Sequence, residues 1–134
     1  MSYASLQAAL DTHLLAYQSA NIAFPGRPFR PTHGTAYLEV ALLPDPAKSV
    51  LLGAQMPLHH SGTYRITVHD PDRQDALATV AALRRHFYPG LELTFEDQLV
   101  HLGVASLGST VPGSAPSPLK QTSLPLSLQW RSYF

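Results

Sequence analysis

The residues best equipped for chemistry in this chain are its seven histidines. His59 and His60 are adjacent and close to Met56, and neighbouring imidazoles can share a metal. A four-ligand site would need further donors brought from elsewhere, and neither an HExxH helix nor a Cys/His spacing occurs. His69 and His101 fall on the polar faces of predicted strands, where solvent or an interface is the natural setting. His13 and His86 lie on predicted helices, where packing and the helix dipole account for them, and His33 sits in a Pro/Gly loop. A Ser–His–Asp set can be drawn from Ser61, His69 and Asp72, but no GxSxG elbow accompanies it. The carboxylates Glu96-Asp97 and Asp70/Asp72 read as turn and helix-cap residues. No Gly-rich phosphate cradle is present, and the aromatics are not interleaved with basic residues as single-strand binding requires. The chain therefore reads as a non-enzyme, with no catalytic residue, metal site or cofactor expected.

Composition points the same way. The 134 residues suit one domain spanning the whole chain. Charged residues make up 13%, about half the usual share. A surface so poor in charge suits burial against other subunits, with a polar Ser/Thr/Gln/Pro surface as the alternative. Nine basic and nine acidic residues cancel, leaving no field for gripping nucleic acid. The lack of cysteine removes disulfides and thiolate sites. The N-terminal stretch reads as an amphipathic helix instead of a secretory signal, and the apolar runs fall short of a membrane span. Synthesis in the cytoplasm and no membrane partner are expected.

The elements that would position these side chains are clearest in residues 61–90. Tyr64, Ile66 and Val68 alternate with Thr63, Arg65, Thr67 and His69, the period of a half-buried strand. Asp70-Pro71-Asp72 turns the chain, with Pro71 fitting the first helical position. A helix follows, presenting Leu77, Val80, Ala81, Leu83 and Phe87, with Arg84-Arg85-His86 in its last turn and Pro89-Gly90 as the stop. Residues 3–19 predict a first helix with Tyr3, Leu6, Leu10, Leu14 and Tyr17 on one stripe and Asp11 facing out, capped by Ser2 or Ser5. A short extended piece at 21–24 precedes the GRPFRPTHG loop that carries Arg27 and Arg30. Strands are expected at 36–43 and 49–52, the first pairing antiparallel with the strand at 63–69. A hairpin turns at Glu96-Asp97, with Val100, Leu102 and Val104 inward. The last strand places Leu124, Leu126, Leu128 and Trp130 inward and Pro125 at a sheet edge or strand start. Residues 44–61 and 107–121 read as long loops. The fold class is α+β, a two-layer sandwich with a mostly antiparallel or mixed sheet and two helices packed on one face.

Several segments, read together, resemble a bacteriophage tail terminator-like family, the tail-tube capping proteins of long-tailed phages. They are MSYASLQAALDTHLLAY, FPGRPFRPTHGTAYLEVALLP, LLGAQMPLHHSGTYRITVHDP leading into DRQDALATVAALRRHF, and the closing LPLSLQWRSY. The family's Gly-rich run ahead of its H-SG-Y-V-V--P pattern is here partly replaced, as GAQMPLHHSGTYRITVHDP. The resemblance implies a structural virion protein that forms a ring, typically a hexamer, on the end of the tail tube. There it ends polymerisation and offers the surface to which the head attaches. Its partners would be copies of itself, the tail tube protein and a head completion or connector protein, with genome DNA only passing through the lumen. It would act at the head-proximal end of the virion tail after synthesis in the host cytoplasm. Candidate subunit or tube contacts are Arg27 and Arg30; Met56, His59 and His60; Arg65, Thr67 and His69; and Lys120. The alternatives are another head–tail joining or neck protein, or a small ligand-binding domain or enzyme using His59, His60 and His69.

Overall fold

The computed structural model describes residues 3–32, 34–46, 48–49, 58–108 and 122–133. In chain order the elements are α1 (Tyr3–Tyr17), β1 (Ile22–Ala23), β2 (Tyr37–Pro44), β3 (Lys48–Ser49) and β4 (Leu58–Asp70). They continue with α2 (Arg73–His86), β5 (Glu92–Phe95), β6 (Gln98–Leu107) and β7 (Thr122–Tyr133). The strands form one sheet in the order β1-β2-β4-β7-β6-β5, with β3 pairing β4 off that path. β1 runs parallel to β2 and every other pairing is antiparallel, so the sheet is mixed and the fold is α+β.

The spine of the sheet is the β4–β7 ladder, continuous from His59↔Tyr133 to Asp70↔Thr122. Both strands alternate apolar and polar residues, and the register sets Tyr64, Ile66 and Val68 opposite Leu128, Leu126 and Leu124 on the same face. All six are buried, and each leucine so buried contributes roughly 1.5–3 kcal/mol relative to exposure. Leu6, Ala9, Leu10 and Leu14 of α1 and Ala76, Val80 and Leu83 of α2 join the same core cluster. Gly62 is needed at its rung: a Cβ there would meet the Leu43 carbonyl, Pro44 Cα and the Trp130 ring at 2.5–2.8 Å.

Several local expectations are corrected. Asp72, not Pro71, opens α2: it is the N-cap, its side chain accepting from Gln74 N at 2.8 Å, so Pro71 lies before the helix. The buried face of α2 is Ala76, Val80, Leu83 and Phe87, a four-three-four spacing that turns Leu77 and Ala81 outward. Val104 is 65% exposed because β6 carries a bulge. Leu102 pairs with Trp130 but Ala105 with Leu128, so one extra residue in β6 shifts the inward face from Val104 to Ala105. Pro125 lies in an interior strand. Its carbonyl accepts from Gly108 N at 2.7 Å just past the last β6–β7 pair, so its missing N–H falls where the neighbouring strand ends. Of the 44–61 stretch, Lys48–Ser49 and the start of β4 are paired strand. Residues 50–57 and 109–121 lie outside the described residues, as do Ser2 and His33.

The helices meet through a reciprocal histidine pair. His13 Nε2–H donates to the His86 carbonyl at 2.8 Å, and His86 Nε2–H donates to the His13 carbonyl at 2.6 Å. The rings stack with centroids 3.9 Å apart. Since a carbonyl only accepts, both Nε2 atoms carry hydrogens, and a further proton would charge a ring packed on another ring. Burial is the main cause that pushes the His13 pKa below 6.5, partly offset by the hydrogen bond to the His86 carbonyl, while the charge of the His86 ring lowers it further. A depressed histidine pKa means the unfolded chain takes up the proton first, so stability is full above pH about 6.5 and falls as pH drops toward the folded pKa. Melting temperature should therefore decrease between about pH 7 and pH 5. His13→Gln, which keeps a donor but cannot titrate, should flatten that decrease in thermal melts.

Candidate functional site

The central strands have one face in the core and one turned away from it, and His59, Arg65, Thr67 and His69 project from the latter. His69 is the best-anchored of them. Its Nδ1 lies 2.8 Å from Ser123 Oγ and its Nε2 lies 3.2 Å from Glu39 Oε2. Its ring also stacks on Tyr37, centroids 4.5 Å apart. These partners follow from register, because Tyr37 and Ser123 are the residues opposite His69 on β2 and β7. The set has the residue types of a hydrolytic triad, yet the amides of interior strands are committed to the ladders and supply no oxyanion hole. It acts as a cross-strand clamp. The Ser61–His69–Asp72 combination is not assembled: Ser61 Oγ donates to Asp45 at 3.4 Å, and Asp72 caps α2.

His59 and His60 lie in β4, not in a loop, and adjacent strand residues point to opposite faces, so they cannot share a metal. His59 is half-buried beside Tyr133, ring centroids 5.1 Å apart. His60 is 6% exposed, with Nδ1 2.9 Å from the Tyr3 hydroxyl, and ties the start of α1 to β4. Arg65 is exposed and Thr67 half-buried on the outer face. Arg27 and Arg30 are exposed, and the Arg27 guanidinium sits 5.6 Å from the centre of the Phe24 ring. Met56 and Lys120 lie outside the described residues.

The pattern of α1 concealed one polar element. Asp11, expected to face solvent, accepts a 2.5 Å hydrogen bond from Tyr64, which is fully buried in the core. Burial raises the Asp11 pKa, partly offset by the hydrogen bonds from Tyr64 and Gln7 and by the charge of Arg27. Burial, and then the Asp11 carboxylate, push the Tyr64 pKa up as well. Asp11 stands in a cleft of about 400 Å³ between α1, Phe24 and Phe95. Phe24 follows β1 and Phe95 ends β5, at opposite ends of the strand order, so the sheet curls to bring them to the same cleft. Only a rule that allowed one polar residue inside the helix's apolar stripe would have found this pair.

Among the described residues no group of three or more metal-ligating side chains comes together, and none of the helices is long and apolar enough to cross a membrane. What the fold defines is a small α+β protein whose central strands have one buried and one more exposed face. The particular family follows from comparison: residues 4–130 match the family described as phage tail terminator protein, and the chain belongs to it. It is a structural protein of the phage virion. Two solved structures share the fold. One has 20% sequence identity and a TM-score of 0.75, covering 100% of this chain and 97% of its own. The other comes from the virion of a native gene transfer agent particle, with 16% identity, a TM-score of 0.63, and 98% and 97% covered. No curated protein matches the chain.

Tyr64→Phe should destabilise the domain by about 1–3 kcal/mol by removing the Tyr64 donor from the half-buried Asp11, which keeps only Gln7. The same change made on an Asp11→Asn background should cost less. Denaturant titration of the four-member cycle measures this coupling.

Proposed function

We propose that the protein assembles as a ring, a hexamer, on the head-proximal end of the tail tube, where it stops tube growth and presents the surface to which the head attaches. Membership of the tail terminator family over residues 4–130 carries this reading. The subunit is compatible with it: an uncovered sheet face, low charge, and Arg65 and Arg131 exposed on that face without an ion pair among the described residues. A ring needs head-to-tail contacts that close by rotation, and exposed faces and strand edges of this kind can form them. Its partners on this reading are further copies of itself, the tail tube protein and a head completion or connector protein. DNA only passes through the lumen, whose lining is then near-neutral or acidic; a strongly basic bore would hinder passage. The candidate contacts Arg27, Arg30, His59, Arg65, Thr67 and His69 are proposed subunit or tube contacts. Addition of the protein to polymerising tail tube protein should shorten the tubes and leave a ring at one end in electron micrographs. A protein that stays monomeric and unbound in the presence of tubes would overturn the proposal.

A further inference from the structure

The bulge in β6 creates a second surface feature. Beyond Leu102 the β5 side of β6 has no partner strand among the described residues: β5 pairs with residues 98–101, and Leu102 bonds to the segment at Gly90 and Leu91. The open edge faces the C-terminal turns of α2 across a groove of about 340 Å³, lined by Ala81, Arg84, Arg85, Pro89, Val104 and Ala105. Val104, thrown outward by the bulge, is 65% exposed, and nearby in sequence to the groove Leu77 and Tyr88 are 41% and 52% exposed. The groove therefore has an apolar floor, two guanidinium groups and no carboxylate in its lining. Arg85 donates through Nε to the Ala81 carbonyl at 3.4 Å, and neither arginine has an ion-pair partner among the described residues.

The complementary feature is the turn of the β5–β6 hairpin. Glu96 and Asp97 are exposed there, likewise without an ion-pair partner among the described residues, and Leu99 beside them is 40% exposed. Both turn residues sit at positive φ, 48° and 66°, where Asn-Gly would hold the two-residue turn at lower cost. The other acids near a turn already have local roles: Asp70 and Asp72 shape the start of α2, and Asp75 lies in its first turn. Gln98, next to the tip, and Val104 of the groove are six residues apart on β6, about 20 Å at roughly 3.4 Å per residue, so the tip cannot reach its own groove. The geometry points to a head-to-tail contact in which the Glu96–Asp97 tip of one copy docks in the Arg84–Arg85–Val104 groove of the next. Two carboxylates meet two guanidiniums over an apolar floor, and because the two patches differ the contact propagates from subunit to subunit. The contact rests on the ring reading and names its interface.

The chain has no cysteine, which makes a clean crosslinking test available. An Ala81→Cys/Leu99→Cys variant at high concentration, treated with a short bis-maleimide, should give a ladder of covalent multimers, while each single-cysteine variant stops at dimers. Adding Arg84→Glu and Arg85→Glu should cut the ladder about tenfold. For rescue, Glu96→Lys and Asp97→Lys are then added, which should restore the ladder. On the Ala81→Cys/Leu99→Cys parent with its arginines intact, Glu96→Asn/Asp97→Gly should melt no lower than that parent yet lose the ladder, separating the turn's structural role from docking. A ladder indifferent to charge reversal, or not restored by the swap, overturns the contact. If rings still form on tubes in that case, the ring reading stands without it; if neither ladder nor ring appears, both fall.

Discussion

The antiparallel ladder between β4 and β7 is the constraint on which the rest of the structure depends. It is the longest pairing among the described strands, and its period of two gives these two strands a buried face and a more exposed one. A one-residue slip would send Tyr64, Ile66, Val68 and their leucine partners outward and bring Arg65, Thr67 and His69 into the core. Register is therefore held by the hydrophobic effect along the whole strand. The contacts of the outer face inherit that precision: His69 meets Tyr37 and Ser123 because those residues are its rung partners.

The Trp130 indole N–H is buried without a hydrogen-bond partner among the described residues, but three other polar groups of the interior are matched across elements. Tyr64 brings a hydroxyl into the core and meets Asp11, tying α1 to the central strand. The His13–His86 pair ties α1 to α2, and the Tyr3–His60 contact ties the beginning of α1 to β4. In each case a group that would be costly to bury alone is matched across elements distant in sequence, which favours one arrangement of helices over its alternatives. The outer face is different. It carries small polar residues and arginines that the chain itself leaves exposed, Arg65 and Arg131 among them.

Much of this was legible in the sequence where pattern and structure share a period. The alternation in 63–69 and 124–130 announced the two central strands, Glu96-Asp97 announced the hairpin turn, and the antiparallel pairing of 36–43 with 63–69 followed. What was not legible depends on a single residue breaking the period or on long-range register. The extra residue in β6 exposes Val104, which a strict alternation buries. Asp11 looked like an outward polar residue because nothing local shows that the curled sheet brings Tyr64 to it. The partners of His69, Glu39 and Ser123, come from strands 30 and 54 residues away. The contact candidates were found as residue types on a polar face; the grouping of Arg84 and Arg85 with Val104 needed the bulge.

The central claim is that this subunit functions through its docking faces in a closed assembly at the end of a tail. A cryo-electron microscopy reconstruction of the head-proximal end of an assembled tail tests it most directly. The account predicts a closed ring of copies, with exposed features of each subunit buried against its neighbours. A single copy at that position, or a ring whose subunits touch only through other proteins, would contradict it.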